Sequence, residues 1–123
     1  MAVQYELNRL RECEYTLGLL CSQFVDQFGQ RAAEMISFMC HQRGLSLGKA
    51  LVSRVSERNF VNAIKAFVAA SEKTASPAKL ISLKEKRAVL QGNVCPLGLE
   101  GRGRDVCQAV MTMDQGILEE ISG

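Results

Sequence analysis

The stretch AKLISLKEKRAVLQG, residues 78–92, decides the fold class. It holds two short β-prone runs, Leu80 to Leu83 and Arg87 to Leu90, on either side of a charged turn, and Gly92 closes it. Short apolar runs bounded by turn residues are the signature of a hairpin. The sequence on both sides has helical spacing, so this hairpin turns an otherwise helical chain into an α+β one. Two strands alone are marginal in water. The hairpin is therefore expected to lie on the helices and to offer an open edge to another chain.

Upstream, Leu7, Leu10, Cys13, Leu17, Leu20, Phe24 and Phe28 recur at steps of three and four, the stripe of an amphipathic helix, and Gly29 is a natural stop. Cys13 and Cys21 lie on or beside that stripe and read as packing residues, because a free thiol behaves as a small hydrophobe. A second helix is expected from about Gln30 to Arg43, ended by Gly44, with Ala32, Ala33, Met35, Ile36, Met39 and Cys40 on a wide apolar face. His41 then falls in the last turn, beside the negative end of that helix. From Ser46 to about Ser71 helical spacing returns, with a slip in phase where Ser56 can cap a new helix, so one bent helix and two separate ones both fit. SEKTASP, residues 71–77, is a polar loop ended by proline.

Downstream, residues 92–105 form a cysteine-bearing loop, GNVCPLGLEGRGRD, and the final helix is expected at about 106–121 on Val106, Val110, Met113, Ile117, Leu118 and Ile121. Asp105 followed by Gln108 resembles a capping box, with Asp105 as the N-cap. The whole reads as a helix-dominated single α+β domain with a β-hairpin and a C-terminal helix. Its 123 residues, 47% of them apolar and 23% charged, suit one globular core rather than a disordered chain.

MAVQYELNRLRECEYT at the start lacks the basic, apolar, small-residue order of a secretory signal, and no apolar run approaches the ~20 residues needed to cross a bilayer. A cytoplasmic location is expected, and in a reducing compartment the five cysteines read as thiols or metal ligands. Net charge is only +2. Residues 79–104 are nonetheless basic, with six cations against two carboxylates, and residues 105–123 are purely acidic. That division fits ion pairing between the two segments or a surface for an anionic partner.

The chemistry concentrates in the cysteine loop. Cys107 falls in the first turn of the last helix, where the positive end of the helix favours a thiolate, reinforced by Arg102 and Arg104 and opposed by Asp105. Cys95 precedes Pro96 and is biased to an extended backbone, and the glycines at 98, 101 and 103 let the chain fold back. Cys95 and Cys107 can thus share one bound species, or be unliganded thiols at a loop base. Two thiolates supply half of a tetrahedral shell, so zinc or an iron–sulfur centre needs further ligands from Cys40 and His41, a bound molecule or a second subunit. Arg102 and Arg104 ahead of a helix N-terminus also permit an anion site. No Ser/His/Asp arrangement is present, and the single histidine has no nucleophile beside it in sequence.

FGQRAAEMISFMCHQRGLSLGKAL (28–51), the hairpin, and NVCPLGLEGRGRDVCQAVMTMDQGILEEISG (93–123) together resemble the 4-vinyl reductase-like, hydrocarbon-binding domains. Gly29, Gly44 and Gly48 match the glycine punctuation of those α+β domains, and Cys95, Pro96 and Cys107 match their later C-P…C segment, an element also similar to one in cysteine-bearing iron–sulfur transcriptional regulators. The resemblance implies a pocket for a small apolar or cofactor-like molecule with a possible metal. Members of that family continue after this helix into further strands, whereas the present sequence ends at Gly123.

Three functional readings follow. The first is a non-catalytic small-molecule or metal-binding module with Cys95 and Cys107 at its site and Met35, Phe38 and Met39 on its apolar wall. The second is a DNA-binding regulator in which Arg54, Arg58, Asn59, Asn62 and Lys65 face the duplex and the basic hairpin is a wing. The third is an enzyme using thiolate Cys107. A homodimer is expected through the 79–91 hairpin or the apolar face of 106–121.

Overall fold

The computed structural model describes residues 2–74, 76–92 and 95–123. Ala75, in the predicted polar loop, and Asn93 and Val94, at the start of the predicted cysteine loop, lie outside the described residues. The elements run α1 (Ala2–Phe28), α2 (Gln30–Leu51), a 3-10 turn (Val52–Arg54), α3 (Phe60–Ser71), β1 (Lys79–Leu83), β2 (Ala88–Gln91) and α4 (Arg104–Ser122). The fold is α+β and helix-dominated, with the expected hairpin and C-terminal helix. Among the described residues no helix is long and apolar enough to cross a membrane.

Gly29 joins α1 to α2 with φ of 65°, a backbone state costly for any side chain bearing a Cβ. The largest departure from the sequence reading comes next. Gly44 does not end α2, which runs on through Gly48 to Leu51. Both glycines lie against α4: a Cβ on Gly44 would fall 2.1 Å from the Met113 carbonyl oxygen, and one on Gly48 would fall 2.8 Å from that of Ile117. Gly116 reciprocates, its missing Cβ being 2.5 Å from the His41 carbonyl oxygen. Matching positions rise together along the two helices, from Ser37 with Thr112 to Gly48 with Ile117 and Glu120, so α2 and α4 run parallel with their backbones in contact.

The core closes on this pair. Ala63 of α3 packs with Ile117 and Ile121 of α4, surrounded by Leu47, Leu51, Val55, Ala66, Phe67, Met113 and Leu118. The apolar face of α4 is thus occupied inside the chain by α2 and α3, and the expectation that it serves as a dimer surface is set aside. α3 begins at Phe60, and its cap is Asn59, whose Oδ1 accepts from the Asn62 N–H at 2.8 Å, rather than Ser56. Arg58 reaches across to the end of α4, donating from Nη2 to the Glu120 carbonyl and from Nε to that of Ile121. A cation on the last carbonyls of a helix satisfies groups that lack intrahelical partners.

β1 and β2 pair antiparallel, with Lys79 opposite Gln91 and Leu83 opposite Ala88, and an irregularity at Ile81 between Leu80 and Ser82. β1 touches α3, as the marginal stability of two strands requires. The loop that follows is docked on α1. Gly98 N–H donates to the Cys95 carbonyl at 3.1 Å and Arg102 N–H to that of Leu99 at 3.0 Å, giving two successive turns. Gly101, with φ of 75°, takes the third position of the second turn, where a left-handed conformation is needed. Leu99 is buried, the Tyr15 ring lies against Gly98, and the backbone of Leu97 lies against Gly18.

Candidate functional site

α2 and α4 diverge beyond their contact line and leave an open groove of about 830 Å³. Ala33, Ser37, Phe38 and His41 form its α2 wall, and Cys107, Ala109, Met111, Thr112 and Gln115 its α4 wall. Thr112 Oγ1 lies 2.8 Å from the Ser37 carbonyl oxygen and 2.7 Å from that of Ala109, so its single hydroxyl proton is taken up by these backbone acceptors. Gln30, Glu34, Asp105 and Gln108 complete the lining, so the walls mix polar and charged side chains with an apolar strip of Ala33, Phe38, Ala109 and Met111. Phe38 and Met111 are largely exposed across the opening.

The sequence-predicted residues divide between this groove and open surface. Cys107 and Phe38 line it. Met35 and Met39 do not; both are exposed on another side of α2, because the helix turns its small residues, Ala33, Gly44 and Gly48, towards α4. Cys107 is the fourth residue of α4 and is exposed. The N-cap position belongs to Gly103, with no side-chain cap, so Asp105 is inside the first turn rather than before it. Arg102 and Arg104 are exposed, and neither side chain makes a hydrogen bond or ion pair among the described residues.

Cys95 is half-buried at the start of the loop's first turn. Its N–H donates to Glu100 Oε1 at 2.8 Å, and that bond holds the Glu100 carboxyl below the usual carboxylate range. It does not line the groove that Cys107 lines. Among the described residues no group of three or more His, Cys, Asp or Glu side chains is placed to hold a metal ion. Cys40 and His41 do not complete a set with Cys107: His41 stands level with Gly116, nine residues and about 13 Å along α4 from it. The residues present therefore do not fit a four-ligand zinc or iron–sulfur centre within one chain. Cys13 is exposed rather than packed, whereas Cys21 and Cys40 are half-buried across the α1–α2 hairpin. Burial pushes both of those thiols up, and their proximity adds to the effect at Cys40.

His41 is not at a helix end, since α2 continues ten residues beyond it to Leu51. Its Nε2 lies 2.7 Å from Glu119 Oε2, and Gln115 Nε2 donates to Glu119 Oε1, also at 2.7 Å. These two bonds, the His41 one foremost, hold the Glu119 carboxyl below its ordinary range. The acidic helix is thus tied to His41 and Arg58; no ion pair joins it to the basic hairpin segment among the described residues. A carboxyl whose folded-state pKa is lowered adds stability that is present above its unfolded value and is lost as pH falls through the folded one. Because Glu119 is about half exposed, Glu119→Gln is expected to cost only about 0.5 kcal/mol at neutral pH. The difference should vanish in acid below the carboxylate range, as read by urea denaturation across a pH series.

Of the groups proposed to face DNA, Arg58, Asn59 and Asn62 are engaged in the fold: Arg58 on the end of α4, Asn59 as a cap, and Asn62 donating from Nδ2 to the Glu57 carbonyl at 2.9 Å. Arg54 and Lys65 are exposed. Sequence reasoning missed Met111 and Asp114. Asp114 lies with Phe60, Met111 and Leu118 in a shallower depression on α4, where burial pushes its carboxyl up. An aspartate inside an apolar helical run was the available signal. No protein-family model, curated protein or solved structure matches this chain.

Proposed function

We propose that the protein is a non-catalytic binding module for a small apolar molecule, held between α2 and α4, and that it works as a homodimer. The observation that carries this reading is the groove itself. Its volume, about 830 Å³, lies within the ~300–1,000 Å³ typical of small-molecule sites, and Ala33, Phe38, Ala109 and Met111 give it an apolar strip bordered by polar side chains that could fix a ligand's orientation. The resemblance to hydrocarbon-binding domains points to the same class of ligand. Cys107 is then an exposed thiol at the groove's mouth, positioned to contact the ligand. A thiol enzyme is less well supported, because the sole imidazole is engaged by Glu119 about 13 Å away along the helix.

The test is an NMR titration of the intact chain with naphthalene and with phenol. Shifts centred on Phe38, Met111 and Cys107 are expected, and Phe38→Asp, at an exposed position that leaves the core alone, should weaken binding about tenfold or more. Shifts confined to other surfaces, or none, would remove the reading. Metal analysis and native mass spectrometry of anaerobically purified protein complete the test, since a metal shared by Cys95 or Cys107 of two subunits would appear there and be lost in Cys95→Ser or Cys107→Ser.

A further inference from the structure

The most apolar side of α1 faces away from the body of the protein. The helix meets the rest of the fold through Tyr15, Gly18 and Ser22, its contacts with the loop at Leu97 and Gly98 included, and through Cys21 where it passes Cys40 of α2. About a third of a turn away, Val3, Leu10, Leu17, Leu20 and Phe28 are between 40% and 73% exposed. Apart from Leu7, residues 2–13 are exposed throughout, so about three turns of α1 stand clear of the other elements. An isolated helix of that length is marginal in water, and such turns are normally held by packing.

The pattern of the stripe says what covers it. Val3, Leu7, Leu10, Glu14, Leu17, Cys21, Phe24 and Phe28 alternate steps of four and three over the whole helix, with Val3, Leu10, Leu17 and Phe28 exposed and the other four half-buried at its edge. That is the 3.5-residue repeat of a coiled-coil seam, in which Glu14 is the one charged member. Single-domain packing does not need this strict spacing, whereas a like helix does, because its own knobs then find matching holes. Phe24 and Phe28, stacked edge to face at 5.1 Å, close the seam at the Gly29 end.

We infer that α1 is the surface through which two copies of this chain join, as an antiparallel helix pair. This rests on the homodimer reading and not on the groove. In that alignment Val3 meets Phe28 of the partner subunit, Leu7 meets Phe24 of the partner subunit, Leu10 meets Cys21 of the partner subunit, and Glu14 meets Leu17 of the partner subunit. A parallel pair would instead set the two Glu14 carboxylates side by side, where like charges repel. The antiparallel arrangement also lays the free N-terminal turns of each helix along the half of the other that is backed by the fold. The dimensions suffice: 27 residues make a helix about 40 Å long, and a seam about 10–12 Å wide then covers some 400–500 Å² per chain. The two strips together bury about 800–1,000 Å², close to the ~1,000 Å² of a specific interface.

Sedimentation equilibrium of the full chain tests this directly. The wild type is expected to be dimeric in the micromolar range, and Leu17→Glu with Leu20→Glu to weaken the dimer about a hundredfold or more while circular dichroism keeps the helical signal of a folded monomer. Gln23→Glu, on the polar side of α1, should leave it unchanged. With Cys13, Cys40, Cys95 and Cys107 replaced by serine, a short bismaleimide should link subunits only when Leu10→Cys is added to Cys21. A dimer untouched by the paired substitution would overturn the α1 surface and leave the homodimer standing, whereas a monomeric wild type would remove both. Linkage through Cys21 alone would overturn the antiparallel alignment.

Discussion

Replacing Gly44 by alanine is expected to lower the midpoint of thermal unfolding by roughly 6–12 °C, although alanine is the better helix former. Two effects of opposite sign meet at this position. Within a helix, glycine is about 1 kcal/mol less favourable than alanine, so propensity alone predicts stabilisation. The added Cβ, however, would lie 2.1 Å from the Met113 carbonyl oxygen, 2.9 Å from its carbon and 3.1 Å from Gly116 Cα. These are backbone atoms of α4, and no rotamer change can move them aside.

The two helices would have to separate, and overpacking of a close interior contact costs about 1–3 kcal/mol, occasionally more. Separation would also loosen Ala33, Val106 and Ala109, all buried near the same line of contact. With the cost at the upper end of that range and the propensity gain subtracted, a net loss of about 2 kcal/mol follows, and for a chain of this size each kilocalorie moves the midpoint by roughly 3–6 °C. Gly116→Ala should behave alike, since its Cβ would meet the His41 carbonyl oxygen at 2.5 Å. An unchanged or raised midpoint in both variants would show that the helices are not in backbone contact. The groove lies on the same pair, so a variant that remains folded should also lose ligand binding through a misplaced Phe38 wall.

The same glycine explains where sequence reading reached its limit. Gly44 follows a helical run and precedes a phase change, and locally that is how a helix end looks. What makes it an interior residue is Gly116, seventy-two positions away, which nothing in residues 30–51 announces. The pair Gly44 and Gly48 at a spacing of four, together with the small residues Ala109 and Gly116 on a later helix, was the signal that could have been used. The hairpin was legible because its two runs and charged turn are local features, and the observed strands, Lys79–Leu83 and Ala88–Gln91, differ from the expected bounds by a residue. The Gly29 break and the final helix were legible for the same reason.

The α1 stripe was legible as a helix but not as a surface. Periodicity reports that one side of a helix avoids water, and it does not report whether the cover comes from its own chain. Of the residues read as a site, Cys107 and Phe38 border the groove, whereas Met35 and Met39 lie on another side of α2. All three apolar residues satisfy the same periodicity, and only the demand that small residues face α4 tells them apart.

Gly18→Ala is expected to free the cysteine loop from α1, and its effect should be read at Cys95 rather than at Cys107. A Cβ on Gly18 would fall 1.8 Å from the Leu97 carbonyl oxygen and 2.7 Å from its carbon, again backbone against backbone. The loop is the lighter of the two partners, since it is held to the fold chiefly by Leu99, Gly98 beneath the Tyr15 ring, and this contact. It will therefore lift while its own turns, closed by the bonds from Gly98 to Cys95 and from Arg102 to Leu99, stay formed. The cost is about 1–3 kcal/mol, offset in part by the gain in helix propensity. Cys95 is half-buried and should become more reactive towards iodoacetamide, whereas Cys13 and Cys107 are already exposed and should react at unchanged rates, as site-resolved mass spectrometry would show. Gly101→Ala provides the contrast. Its φ of 75° makes a side chain strained, but nothing lies within 4 Å of the added Cβ, so stability should fall without undocking the loop or exposing Cys95. Equal acceleration at Cys95 in both variants would mean that local turn strain, not contact with α1, holds the loop in place.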